Sequence, residues 1–309
     1  MARRWTSRRS ASARSSSRAS GCRSSKISCA ACRTRATSDS PAPLIATARQ
    51  LLRHRGLLAT LVERELKGRY RGSALGFFWS LVQPLLLLAV YSFVFGHVFQ
   101  PRTAGADPYP LFLVCGLFPW IWLSSALSEA AVALVANSGL IRRAVFPAEL
   151  LPVVPVLSNL VHLLLALPVL ALGLVIGRLA GFAVGGWGAL AVPLVVALEI
   201  PLIAGLGLAL SALHAHFKDV RDLLASALTL LFFLTPVLYP ISAVRVPAIW
   251  WVVKLSPATP FTLAYQRALF DGRFPEPMLW LEMALVALVG WALGAWVFGR
   301  LRDTLVEAV

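Results

Sequence analysis

Glu63-Arg64-Glu65-Leu66-Lys67-Gly68-Arg69-Tyr70-Arg71 runs almost directly into the apolar stretch Ala74 to Phe99, and this junction decides the fold. Basic residues that flank a span are retained on the cytoplasmic side of a bilayer. The junction therefore marks a membrane surface and orients the first transmembrane helix, with the amino terminus inside.

Outward from it, residues 1 to 72 hold 17 Lys/Arg and 3 Asp/Glu, a net of +14 out of +15 for the chain. A pI near 10.9 invites a nucleic-acid reading, but the basic block lacks interleaved aromatics or a binding module, and mean hydropathy is +0.74. No nucleic-acid partner is expected. Residues 1–42 are rich in Arg, Ser and Ala, without an apolar run or a helical period, which predicts a disordered basic tail rather than a secretory signal. A cleaved transit peptide and a start assigned too far upstream both give this composition. Cys22, Cys29 and Cys32 have no second pair or His to complete a zinc site, so no metal is expected, and Cys115 reads as a small core residue.

Residues 43–72 alternate apolar positions such as Leu44, Leu51 and Leu58 with Arg49, Arg53 and Arg55. This pattern predicts an amphipathic helix lying in the interface. From residue 73 to 309 six stretches approach the 20 or so apolar residues that a bilayer requires: Ala74 to Phe99, Tyr109 to Ala136, Leu150 to Ile176, Gly188 to Leu213, Leu223 to Leu238 and Met278 to Phe298. The predicted fold is an all-α membrane protein of six transmembrane helices. Arg142, Arg143, Lys218, Arg221, Arg300 and Arg302 fall on the even connections and the tail, so both termini are expected to be cytoplasmic. The connection from Tyr239 to Pro277 carries Arg245, Lys254, Arg267 and Arg273 on the outer side, against that pattern. It is also too apolar for a solvated linker. Broken at Ser256-Pro257, it predicts two short re-entrant or amphipathic helices that serve as an outer gate or an aromatic anchor.

No phosphate-binding loop, nucleophile elbow or His-Glu-x-x-His occurs, which leaves nucleotide hydrolysis and familiar hydrolase chemistry without residues. Glu129, His162, Glu199 and Glu282 lie within apolar spans, where ionisable groups are costly, yet their positions suit span ends and form no evident relay. Gly173, Gly177, Gly181 and Gly185 recur every fourth residue, and Gly290 pairs with Gly294, spacings that bring helix backbones close in lipid. Two polar connections, Asn137 to Pro152 and Phe217 to Leu223, share the inner face and suit docking to a soluble partner.

Five ordered blocks carry a resemblance: Arg64-Glu65-Leu66-Lys67-x-Arg69-Tyr70-Arg71-Gly72-Ser73-Ala74-Leu75-Gly76 with Trp79 and Gln83-Pro84; Tyr109-Pro110-Leu111-Phe112 with Gly116-Leu117-Phe118-Pro119-Trp120; Asn137-x-x-Leu140-Ile141 through Phe146-Pro147-x-Glu149-x-Leu151-Pro152; Phe217-Lys218-Asp219-Val220-Arg221; and Thr235-Pro236-Val237-Leu238-Tyr239-Pro240. Over residues 45 to 305 the chain resembles the permease subunits of ABC-2 type exporters of lipid-linked polysaccharides such as O-antigen, capsule and teichoic acid. The resemblance implies a non-enzymatic homodimeric permease of the bacterial inner (plasma) membrane, working with two copies of a separate ABC ATPase that binds ATP and Mg, with no cofactor in this chain. It implies that Asn137 to Pro152 is the coupling helix seated on the ATPase, with coupling through Asn137, Leu140, Ile141, Arg142, Arg143, Phe146, Pro147 and Glu149, together with Lys218, Asp219 and Arg221. It further implies a gate helix carrying Glu65, Lys67, Arg69, Tyr70 and Arg71, and a lipid-linked glycan as substrate. Tyr91, Phe95, Phe99, Trp120 and Trp122 are candidates to line the channel by stacking on sugar faces, although interfacial belts also use aromatics. The alternatives are an ABC-2 drug or lipid exporter, an ion-coupled carrier using Glu129, Glu199 or Glu282, and an intramembrane transferase.

Overall fold

A computed structural model describes residues 43–72, 78–95, 107–143, 147–244 and 246–304. The basic tail and Phe99 lie outside the described residues, as do Phe146 and the side chains of Ile141, Arg142 and Arg143. Among the described residues every regular element is helical. In order these are α1 (Pro43–Arg53), α2 (Arg55–Tyr70), α3 (Trp79–Phe93), α4 (Tyr109–Ala136), α5 (Ser138–Arg143), α6 (Leu150–Leu179), α7 (Val192–His216), α8 (Val220–Leu234), α9 (Pro247–Leu255), α10 (Thr259–Tyr265) and α11 (Pro277–Leu301).

Four of these are long and apolar enough to cross a bilayer: α4, α6, α7 with its leading 3₁₀ turn from Trp187, and α11. Where the other two spans are expected, the described residues hold shorter helices, so four spans rather than six meet that length among them. Both α3 and α8 have 15 residues, which is about 22 Å of helix against about 30 Å of hydrocarbon. For α8 the cause is local: Thr235 precedes Pro236 and is extended at φ −78, ψ 137, because a residue before proline disfavours the helical region. Residues 43–72 hold two helices, α1 and α2, with α2 carrying the residues expected on the gate helix. His54 departs from helical values at φ −103, ψ 23, and its Nδ1 lies 3.0 Å from the Gln50 carbonyl oxygen.

The core is built around α4, which is enclosed on nearly every side from Leu111 to Trp120. Helices α6 and α7 pack on it, and α11 packs on α7. The α7–α11 crossing is a glycine contact. A Cβ on Gly294 would fall on the Gly205 backbone, and one on Gly205 would fall on the backbone of Gly290 and Trp291. Close approach of this kind is how helices gain packing in lipid, where apolar side chains gain nothing by leaving solvent. Of the other glycine series, Gly173 and Gly177 receive Leu88 and Leu111, while Gly181 and Gly185 turn the chain at φ +95 and +70. Leu172, Val175 and Ile176 of α6 and Leu285 and Leu288 of α11 are exposed, which marks the lipid-facing sides.

Helix α10 and the π turn Gln266–Phe270 that follows it are buried apart from a half-buried Arg267. They insert between α4, α7 and α11, separated from α9 at Ser256-Pro257 as expected. Backbone freed by the chain reversals is satisfied by side chains: Gln266 Nε2 donates to the Pro236 carbonyl at 2.8 Å, Tyr109 Oη to the Leu238 carbonyl at 2.6 Å, and Thr259 Oγ1 to the Val253 carbonyl at 2.6 Å. Non-helical backbone at membrane depth is tolerated on that condition.

Candidate functional site

The last turn of α2 carries the side chains that join it to the bundle. Lys67 points away and pairs with Glu63 at 2.5 Å, with both groups exposed; the lysine's hydrogen bond and charge hold the Glu63 carboxyl below its ordinary range. Arg69, on the opposite side, binds Glu65 of its own helix at 3.2 Å, Asn159 Oδ1 of α6 at 3.3 Å, and the Glu129 carboxylate of α4. Asn159 Nδ2 donates to the same Glu129 oxygen at 2.8 Å. Burial pushes the Glu65 carboxyl up, against the pull of Arg69. Tyr70 Oη lies 3.2 Å from His162 Nε2, and Arg71 is exposed in extended backbone.

Three cavities meet at Glu129. One of about 510 Å³ runs along α2 past Leu61, Arg64 and Glu65 to Asn137 and Leu140. A second of about 340 Å³ is bounded by Arg69, Tyr70, Gln83, Pro84, Trp122 and His162. The third is an open groove of about 770 Å³ between α3, α4 and α8, with Tyr91, Trp120 and Phe232 on its walls and the hydroxyls of Ser124, Ser128 and Thr229 beside them. Trp120 and Phe232 have ring centroids 5.7 Å apart. Polar ion pairs thus give way to aromatic and hydroxyl surface on different sides of Glu129.

The expected channel aromatics divide. Tyr91 and Trp120 face the groove. Trp122 is 2% exposed and donates its indole N–H to the Val156 carbonyl at 3.1 Å. Phe95 stacks between Tyr91 and Tyr109, with centroids 5.8 and 5.0 Å away. Phe232, Ser124 and Ser128 were not singled out by sequence reasoning; hydroxyls at fourth-residue spacing on an apolar helix were the available signal. Asn159 was missed as well, although a primary amide inside Leu-Ser-Asn-Leu stands out in a span.

At the far end of α4 lies the described part of the expected coupling region. Asn137 closes α4, its Nδ2 on the Ala133 carbonyl at 2.9 Å, and α5 follows directly. Leu140, Ala148, Ala215 and Leu301 pack around Leu134, Leu151 and Phe298, so α5, the start of α6 and the ends of α7 and α11 share one end of the bundle. Pro147 is half-buried there. Glu149 is 3% exposed and pairs with Arg302 at 2.9 Å. Lys218, Asp219 and Arg221 are exposed on the α7–α8 turn. The four ionisable groups of the spans are each partnered separately, Glu129 by Arg69, His162 by Tyr70, Glu199 by Tyr265 and Glu282 by Lys254 at 2.7 Å.

A bundle of apolar helices, four of them long enough to cross a bilayer, with polar and aromatic clefts between them, defines a multi-pass membrane protein. The chain belongs to the ABC-2 type transporter family, whose model it matches over residues 56–270. It is 34% identical over 270 residues to the O-antigen export system permease protein RfbA of Myxococcus xanthus, covering 86% of this chain and all of that protein. The RfbA protein of the same description from Klebsiella pneumoniae is 26% identical over 81% of this chain and 94% of its own length. The polysialic acid transport protein KpsM of Escherichia coli is 26% identical over 79% of this chain and 93% of its own.

Proposed function

We propose that this chain is the membrane-spanning subunit of an ATP-driven exporter that moves a lipid-linked polysaccharide from the cytoplasm across the bacterial inner membrane. The observation that carries the reading is the meeting at Glu129 of an ion-lined cavity against α2 with a groove of aromatic rings and hydroxyls. The first suits an anionic headgroup and the second suits sugar faces. Similarity to export permeases over nearly their whole length supports the same substrate class.

In this reading residues 43–72 form the interfacial and gate helices, residues 73–309 form a six-span transmembrane domain with both termini cytoplasmic, and residues 1–42 are a tail outside it. Two copies assemble with two copies of an ABC ATPase, which supplies ATP and Mg; this chain holds no cofactor. Helix α5, flanked by Asn137 and Glu149 and accompanied by Lys218, Asp219 and Arg221, seats on that ATPase. The separate partnering of Glu129, Glu199 and Glu282 favours this reading over a carrier that relays ions between them.

The test co-expresses the chain with its ATPase and compares complex recovery and surface glycan for wild type and Arg142→Glu/Arg143→Glu. Loss of both supports coupling through α5. A normal complex with normal display removes that loop from the mechanism.

A further inference from the structure

Helix α2 has no fully buried residue and leans on α6 through half-buried side chains. Its last turn binds across to the bundle through Arg69, on Glu129 and Asn159, and through Tyr70 on His162. The two sides of the Arg69–Glu129 contact are unequal. Glu129 keeps a second donor, Asn159 Nδ2 at 2.8 Å, on a long helix in the core. If Arg69 leaves, Glu129 stays in place and α2 loses its tie to α4. An element tied by a few polar contacts and little buried surface belongs to the low-stability end of a fold, where moving parts are found.

We infer that Glu129 is the internal counter-ion of an anion site, its carboxylate holding the position on Arg69 that a phosphate of the substrate's lipid headgroup takes during transport, and that this exchange unlatches α2 from α4. The inference rests on the reading of α2 as the helix at the substrate entrance. The chemistry is that of the guanidinium, a planar fork of donors that fits carboxylate and phosphate alike. Charge balance makes the exchange a mechanical event. Arg69 already faces two carboxylates, Glu65 and Glu129, and an arriving phosphate repels the fixed one. Glu65 travels with Arg69 on α2. Glu129 does not travel, so α2 moves away with the headgroup. The adjoining cavity of about 340 Å³ lies within the ordinary range for small-ligand sites, and Gln83, Ser125 and Tyr70 provide further donors to the same anion. A neutral headgroup has nothing to exchange for Glu129, so the latch selects for charge.

The test uses the permease–ATPase complex in lipid nanodiscs and reads ATP hydrolysis with two probes, undecaprenyl pyrophosphate and undecaprenol. Wild type is stimulated by the pyrophosphate and ignores the alcohol. Glu129→Gln, which keeps the Asn159 contact, raises the basal rate about fivefold, the ratio that ~1 kcal/mol of a partly exposed ion pair sets, and responds little further. Arg69→Glu also runs fast, and Arg69→Glu/Glu129→Arg re-forms the pair and restores the low basal rate. Should Glu129→Gln fail to assemble, the comparison of the single and double charge-swap variants decides. A Glu129→Gln complex with wild-type basal rate and stimulation overturns the latch, as does equal stimulation by undecaprenol. A wild-type complex deaf to both probes overturns it too. In that case glycan display by cells lacking the chain shows that the export reading has failed, and its loss shows that only the latch has.

Discussion

Tyr265 on α10 donates its hydroxyl to the Glu199 carboxyl on α7 at 2.9 Å, with the two side chains 0% and 1% exposed. This bond fastens the inserted α10 segment to the core. A buried polar group stripped of its partner loses about 1–3 kcal/mol. Tyr265→Phe therefore lowers the melting temperature of the detergent-purified protein by several degrees, while Glu199→Gln, which retains an acceptor, lowers it less. An unchanged melting temperature for Tyr265→Phe contradicts this assignment.

The glycine contact between α7 and α11 gives a sharper contrast. A Cβ at Gly294 meets the Gly205 backbone, which has no side chain to yield, whereas one at Gly68 meets nothing within 4 Å. Overpacking of this kind costs about 1–3 kcal/mol. Gly294→Ala reduces the yield of monodisperse protein in size-exclusion chromatography, and Gly68→Ala leaves it unchanged.

The residues that set local conformation were legible in the sequence, and those that act at a distance were not. Apolar runs located α4, α6, α7 and α11; Ser256-Pro257 located the break between α9 and α10; Gly181 and Gly185 turned the chain where their spacing ran out into a loop. Glu129 was visible as a costly residue but not its partner, because Arg69 lies 60 positions away and no periodicity links them. Gly205 was hidden because its fourth-residue neighbours carry side chains and its partners are on α11. The depth of α10 was hidden as well, since an aromatic-rich connection reads equally as a surface anchor and as an insertion. Tyr265, Gln266 and Thr259, which allow its burial, are ordinary polar residues until their acceptors are known.

Glu65 makes stability depend on pH in a stated direction. Burial raises its carboxyl above the ordinary 4.5, so the folded state binds a proton more tightly than the unfolded chain does. That contribution is full below 4.5 and is lost as pH rises through the raised folded value. Relative to wild type, Glu65→Gln gains stability over that rise, and thermal melts from pH 4 upward check it. A difference that runs the other way places Arg69, rather than burial, in control of the carboxyl.

The groove wall made by Trp120 and Phe232 bears on the substrate. Loss of one stacking ring removes about 0.5–1.5 kcal/mol of aromatic contact. Trp120→Leu and Phe232→Leu each reduce surface glycan by up to about tenfold with the ATPase complex still recovered. Trp296→Leu, on the exposed side of α11, leaves display at the wild-type level.

Dependence on a partner's ATP hydrolysis is the central claim, and surface glycan in cells carrying this chain with either an active ATPase or one whose phosphate-binding lysine is substituted tests it most directly. The account predicts that the inactive ATPase still assembles with the permease while lipid-linked glycan accumulates inside and none reaches the surface. Undiminished display with the inactive ATPase, together with display abolished by an ionophore, contradicts it and assigns the driving force to an ion gradient.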